Sequence, residues 1–269
     1  MFKGVVVAAA IVSFAVMASI VHANDGGISF GGSPKLLSGH SSVRMESELI
    51  QMTVGEKVVA VDCKFTFVNK GPAVKVRMGF PDQGVGADDP DEEHGDNWHA
   101  LPPKSTFNSF KSWVNGKSTP TTLVRSSEPG RFWHTKTVTF PANSQTVIRD
   151  LYYVNVGTGF VGSVGNDAIP GDETSYVVHT GSSWKGTIGR TEIVVTFKRK
   201  GMSGPLVAKK GTPKAKFDKQ PHTVYYTGIS KPTIDGATLR FVRENWRPTK
   251  KDDLYMAFAR PWSVRNAKK

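Results

Sequence analysis

A single cysteine, Cys63, stands in 269 residues. It leaves no partner for a disulfide within the chain and excludes any zinc site built on cysteines. Past residue 23 no run is apolar enough to cross a bilayer as a helix. No stretch keeps a 3.6-residue apolar period, which excludes long amphipathic helices and coiled coils. HExxH pairs and a GxSxG frame are both missing, and no carboxylate pair sits in a pattern that would tune it for acid–base work, so no catalytic residue is assigned. The aromatic-basic pattern of an RNA-binding sheet is absent too, and nucleic acid is not an expected partner.

What is present is ordinary globular usage: 38% hydrophobic and 22% charged residues, with 27 Gly and 16 Pro. That balance excludes disorder and collagen, and the glycines and prolines punctuate the chain at the spacing of a β-protein.

Met1 to Lys3 supply a positive start, and Val5 to Val21 run without charge to Val21-His22-Ala23. This is the form of a secretory signal peptide (1–23), with the mature chain expected from Asn24 in the periplasm or outside the cell. A lone cysteine suits that compartment. Val59, Val61, Cys63, Phe65 and Phe67 share one strand face at period two, so Cys63 is expected buried among apolar neighbours.

The same alternation marks strands over 43–54, 58–68 and 74–80, the latter two read as a hairpin across Asn69-Lys70-Gly71-Pro72. Further strands are expected over 107–114, 121–124, 131–140, 146–156, 192–198, 224–229, 237–242 and 254–258. Asn115-Gly116 is the dipeptide of a two-residue hairpin turn, since both positions tolerate positive φ. The Gly-rich 157–174 segment is expected to be a joint and 200–219 a loop. The fold class expected is all-β, one or two antiparallel β-sandwich units, with an N-terminal domain over 24–171 and a basic C-terminal domain over 172–269.

Charge is uneven. Lys185 to Lys269 hold 20 Lys/Arg against 6 Asp/Glu, so +14, while the rest of the mature chain carries −3. Lys209, Lys210, Lys214, Lys216 and Lys219 crowd one stretch and are the candidate contacts to an anionic envelope polymer, a lipid surface or an acidic protein; a solvated surface is the bland alternative. Asp88 to Asp96 packs six carboxylates into nine residues. Asp88, Asp91, Glu93 and Asp96 are candidate Ca²⁺ ligands, although Pro90 breaks the order of a calcium loop and a solvated acidic loop explains them as well. Apart from that ion no cofactor is expected.

Gly157-Thr158-Gly159-Phe160-Val161-Gly162 has the glycine spacing of a dinucleotide loop, but the Ser163 to Gly171 stretch beyond it cannot form a stable helix, so that reading is rejected. Gly116-Lys117-Ser118 ends like a phosphate-binding loop and lacks its first glycine. Trp98, Trp113, Trp133, Trp184, Trp246 and Trp262 are either core or a sugar-stacking platform.

Ser42 to Leu49, Val58 to Asn69, Met78-Gly79-Phe80-Pro81, Phe110 to Lys117, Tyr176 to Gly189 and Trp246-Arg247-Pro248-Thr249 come in the same order as in a family of secreted bacterial proteins. The chain resembles domain-of-unknown-function family 4424. The resemblance implies an exported, β-rich bacterial protein and supplies no catalytic residues; Ser112 and the acidic 88–96 stretch depart from it. The sequence therefore leads to an exported envelope protein acting as a non-catalytic binding or structural module. A hydrolase of envelope polymers, marked by a pocket of converging polar groups, and a carbohydrate-binding module, marked by exposed tryptophans, are the alternatives.

Overall fold

The computed structural model describes residues 28–38, 42–85, 103–126, 131–164, 167–213 and 222–259. Among these residues eighteen strands run in chain order: β1 (Ile28–Gly31), β2 (Lys35–Ser38), β3 (Val43–Val54), β4 (Val58–Asn69), β5 (Val74–Val85), β6 (Ser109–Val114), β7 (Lys117–Ser118), β8 (Thr122–Arg125), β9 (Arg131–Phe140), β10 (Ser144–Asn155), β11 (Gly157–Val164), β12 (Asp167–Tyr176), β13 (Ile188–Phe197), β14 (Val207–Lys210), β15 (Thr223–Thr227), β16 (Thr233–Asp235), β17 (Thr238–Trp246) and β18 (Leu254–Ala259). Short 3-10 turns at His179–Ser183 and Lys250–Asp252 are the helical pieces among the described residues. The fold is all-β, as the alternation requires.

An eight-stranded sheet in the order β16-β17-β13-β3-β4-β10-β6-β7 is the backing layer. A first five-stranded sheet, β1-β5-β9-β8 with β2 also on β5, covers one part of it. Phe80 and Phe140 of that sheet meet Phe65 and Phe67 of the backing layer with ring centroids 6.5 and 5.6 Å apart. A second five-stranded sheet, β11-β12-β18-β15-β14, covers the other part. There Phe258 packs on Phe197 at 5.2 Å and Tyr226 on Phe241 at 5.6 Å. Facing sheets interleave their inward side chains in this way to close a sandwich core.

The two covering sheets meet along one seam. Val177 donates its N–H to the Gly31 carbonyl at 3.0 Å, and Ser33 donates to the Val177 carbonyl at 2.7 Å. This parallel bridge is centred on Gly32 and Val177. A Cβ on Gly32 would lie 2.3 Å from the Val177 oxygen, so only glycine admits the approach. Trp184 closes the core beneath: it is buried, 4.5 Å from Phe67, and its indole N–H donates to the Pro34 carbonyl at 2.7 Å.

Several expectations need correction. β4 and β5 are not a hairpin: β4 pairs with β3 and β10, whereas β5 pairs with β9, β1 and β2. The Asn69 amide explains the crossing. It donates to the carbonyls of Pro72, Phe140 and Pro141 and accepts from the Gly71 N–H and the Ser42 hydroxyl, fixing a corner that carries the chain between layers. Asn115 and Gly116 do make the expected hairpin turn, with φ 49° and 79°. The 157–174 joint is a strand pair, β11 with β12. The 200–219 loop contains β14. Two ladders are parallel rather than antiparallel, β3 with β13 and β14 with β15. The division at Gly171/Asp172 falls inside β12, and the eight-stranded sheet takes strands from both parts of the chain.

Candidate functional site

Asp88, Asp91, Glu93 and Asp96 lie outside the described residues, as do Lys214, Lys216 and Lys219. Lys209 and Lys210 are on β14, the edge of the second covering sheet, with Lys210 exposed and Lys209 half-buried. Among the described residues no group of His, Cys, Asp and Glu is placed to hold a metal ion. The GxGxxG stretch is on β11, an edge strand with no helix after it, so its amides are not presented to a pyrophosphate.

Several buried ionisable groups lie inside the sandwich with structural partners. Lys136 of β9 donates to Asp150 of β10 at 2.6 Å and to the Ser112 hydroxyl of β6 at 2.5 Å, joining the first covering sheet to the backing layer. Arg199 pairs with Asp172 of β12 and lies over the Phe258 ring at 4.8 Å, doing the same for the second. Asp82, at the end of β5, accepts from Ser105, from the Thr106 hydroxyl and amide, and meets His134 Nε2 at 2.9 Å. His134 is stacked on Phe110 at 4.1 Å.

Ser105, His134 and Asp82 are residue types of a nucleophilic triad, but their geometry is not one. The serine hydroxyl and the aspartate both face the same imidazole nitrogen, so the ring cannot relay a proton between them. The Ser105 hydroxyl donates to Asp82 and accepts from the Phe107 N–H. The cluster ties residues 105–107 to β5 and β9.

Glu48 sits under the seam, 1% exposed on the inward face of β3. Ser33 donates to it at 2.6 Å and Thr191 at 2.7 Å, and Thr191 in turn accepts from the Trp246 indole at 2.8 Å. Burial outweighs these donors and pushes its carboxyl up to about 7. Cys63 is fully buried beside the Tyr176 hydroxyl at 3.7 Å, and burial raises its thiol well above the ordinary range, so it is a packing group, not a nucleophile.

The outward faces differ in charge. On the backing layer four carboxylates are taken by arginines: Glu46 by Arg44, Asp62 by Arg149, Glu192 by Arg190 and Arg240, and Glu244 by Arg190. The first covering sheet carries Lys35 on β2, Lys75 and Arg77 on β5, and Trp133, Thr137 and Thr139 on β9 outward, with no outward carboxylate on these strands. Trp133 crosses β5 over Gly79, where a Cβ would come within 3.0 Å of the indole and 2.9 Å of Leu37. Lys35 Nζ stands 5.4 Å from the ring centroid. In the sequence Trp133 is only one of six tryptophans. Sequence reasoning misses Lys35, Lys75 and Arg77 because the acidic 88–96 stretch cancels them in the net charge. Of the other tryptophans, Trp184 and Trp246 are core, Trp113 lies on the backing layer beneath Arg149, and Trp98 and Trp262 fall outside the described residues.

No family model and no curated protein matches the chain. Among solved structures it is similar to a candidate nutrient-binding protein of Legionella pneumophila, with a TM-score of 0.66, 19% identity, and coverage of 91% of this chain and 75% of that one. That likeness shows a shared fold. Weaker similarity, with TM-scores of 0.42 and 0.36 and 9% identity, extends to yeast LTA4 hydrolase (83% of this chain, 30% of that one) and to the M1 zinc metallopeptidase of Deinococcus radiodurans (82% and 43%).

Proposed function

We propose that the chain is an exported, non-catalytic binding protein of the bacterial envelope whose ligand is anionic. The observation that carries this reading is the outward face of the first covering sheet, where Lys75 and Arg77 stand exposed with no outward carboxylate on β2, β5 or β9, while Lys136, Asp150, Arg199 and Asp172 inside the sandwich are committed to holding its layers together. A fold shared with a candidate nutrient-binding protein supports it, as does the resemblance to family 4424 with its exported members. The signal-like start supports export, with cleavage after Ala23 and a mature chain in the periplasm or outside the cell. Lys209 and Lys210 at the sheet edge add to the same cationic character.

The test is co-sedimentation of mature chain, its Asn24 start verified by mass spectrometry, with phosphatidylglycerol vesicles and with polygalacturonate. Association is expected with at least one of them at low salt and is expected to weaken steeply towards physiological ionic strength, where the field reaches only about 8 Å. A chain that pellets with neither material sinks the proposal.

A further inference from the structure

We infer that the outward face of the first covering sheet is a binding site for an anionic glycan, its sugar ring on Trp133 and its acid groups on Arg77 and Lys75. This rests on the binding reading above and names its site and ligand class.

Gly79 shapes this face. Antiparallel neighbours set Pro81 opposite Trp133, Gly79 opposite Thr135, Arg77 opposite Thr137 and Lys75 opposite Thr139. A side chain at Gly79 would collide with the indole and with Leu37, so its absence lets the ring lie across the strand towards β2. Aromatic rings that serve the core point inward; this one is outward and part-exposed, on a face where Val76, Met78 and Val138 turn the other way into the core. An indole backed by a strand is the surface on which the apolar face of a sugar stacks, as flat π-faces do with other rings.

The remaining groups fit the rest of such a ligand. Arg77 lies two residues from Gly79 and Lys75 two further, steps of about 6.8 Å each along an antiparallel strand. Both are exposed and make no ion pair among the described residues. Thr137 and Thr139 stand exposed beside them as hydroxyl partners. Ring and cations thus follow one another along β5, with the hydroxyls beside them on β9. Lys35 holds its ammonium over the indole. At an exposed site that contact is weak, and a carboxylate at the ring edge offers the ammonium a stronger partner. A purely lipidic or polyphosphate ligand would use the cations and leave the ring without a role.

Isothermal titration of the mature chain with oligogalacturonate, neutral dextran oligomers and inorganic polyphosphate tests this, with indole fluorescence as a second readout. Oligogalacturonate is expected to bind and dextran not. Trp133→Ala should weaken binding about tenfold or more, the scale of a lost aromatic anchor, and Trp133→Phe should restore much of it. Lys75→Glu with Arg77→Glu should abolish binding, while Trp113→Ala on the backing layer changes nothing. Should Trp133→Ala fail to fold, Trp133→Phe and the exposed charge reversal carry the test. Wild-type affinity in both the charge reversal and the Trp133 variants overturns this site and leaves the binding reading standing. Polyphosphate binding as tightly as oligogalacturonate, with no loss in Trp133→Ala, overturns the glycan. Failure of the wild-type chain to bind any anionic probe in titration or sedimentation overturns both.

Discussion

Glu48 is a buried carboxyl whose proton is held more tightly in the folded chain than in the unfolded one, about 7 against the ordinary 4.5. Its favourable contribution is therefore fully present below pH 4.5 and is lost as pH rises through 7, because an ionised carboxylate must then stay under the seam. Ser33 and Thr191 each supply one hydroxyl, enough to hold the group but not to offset its burial. Glu48→Gln removes the ionisation and keeps a polar amide among the same hydroxyls. Urea unfolding should show the variant close to wild type at pH 4 and more stable at pH 8, by up to about 3 kcal/mol. Parallel pH profiles for the two proteins would show that Glu48 does not titrate as its burial requires. Cys63 teaches a related point: period-two alternation places it correctly on the face of Phe65 and Phe67, but its Tyr176 partner is 113 residues away in sequence and no local pattern announces it.

Elements were legible where one face is buried and the other wet. β3, β4, β9, β10 and β13 show that alternation, and the Asn115-Gly116 turn arises from its dihedral demands. Pairing was less legible, because alternation states which side chains face inward and not which strand lies alongside. The crossing after β4 depends on one Asn69 side chain, and β11 with β12 lacks the apolar rhythm altogether. The candidate site was hidden for a further reason: its cations belong to β2 and β5, and its ring to β9, about fifty residues on. The seam shows what a short element can control. Gly32 joins the two covering sheets through a contact that admits no Cβ, so Gly32→Ala forces either the Gly31–Ser33 segment or Val177 to move. A cost of about 1–3 kcal/mol is expected, the range of overpacked sites. Thermal unfolding measures it, and a variant melting with wild type would show that the seam yields freely.

At the scale of the molecule, three of the short stretches behind the family resemblance gather around this seam. Glu48, Tyr176, Trp184 and Trp246 come from these three and are all buried there or in the core beside it. The two parts of the chain are then bound by more than a linker. β13 lies parallel to β3 over eight residue pairs, from Arg190 with Ser47 to Phe197 with Val54. Ile193, Val195 and Phe197 thereby continue the inward face of Ile50, Met52 and Val54. Removing the second part would strip β3 of its neighbour and leave a long apolar edge strand, the feature that drives edge-to-edge aggregation. It would also uncover Glu48 and the Phe67 and Phe140 rings on which Trp184 packs. The expected behaviour is one cooperative unfolding transition for the whole chain, monitored by far-ultraviolet dichroism and tryptophan fluorescence with coincident midpoints. Segments 24–156 and 157–269, made separately, should each lack a cooperative transition, and mixing them should be required for native fluorescence. A sharp, reversible melt of either segment alone would show that the parallel junction is an interface between two self-sufficient units, not the middle of one.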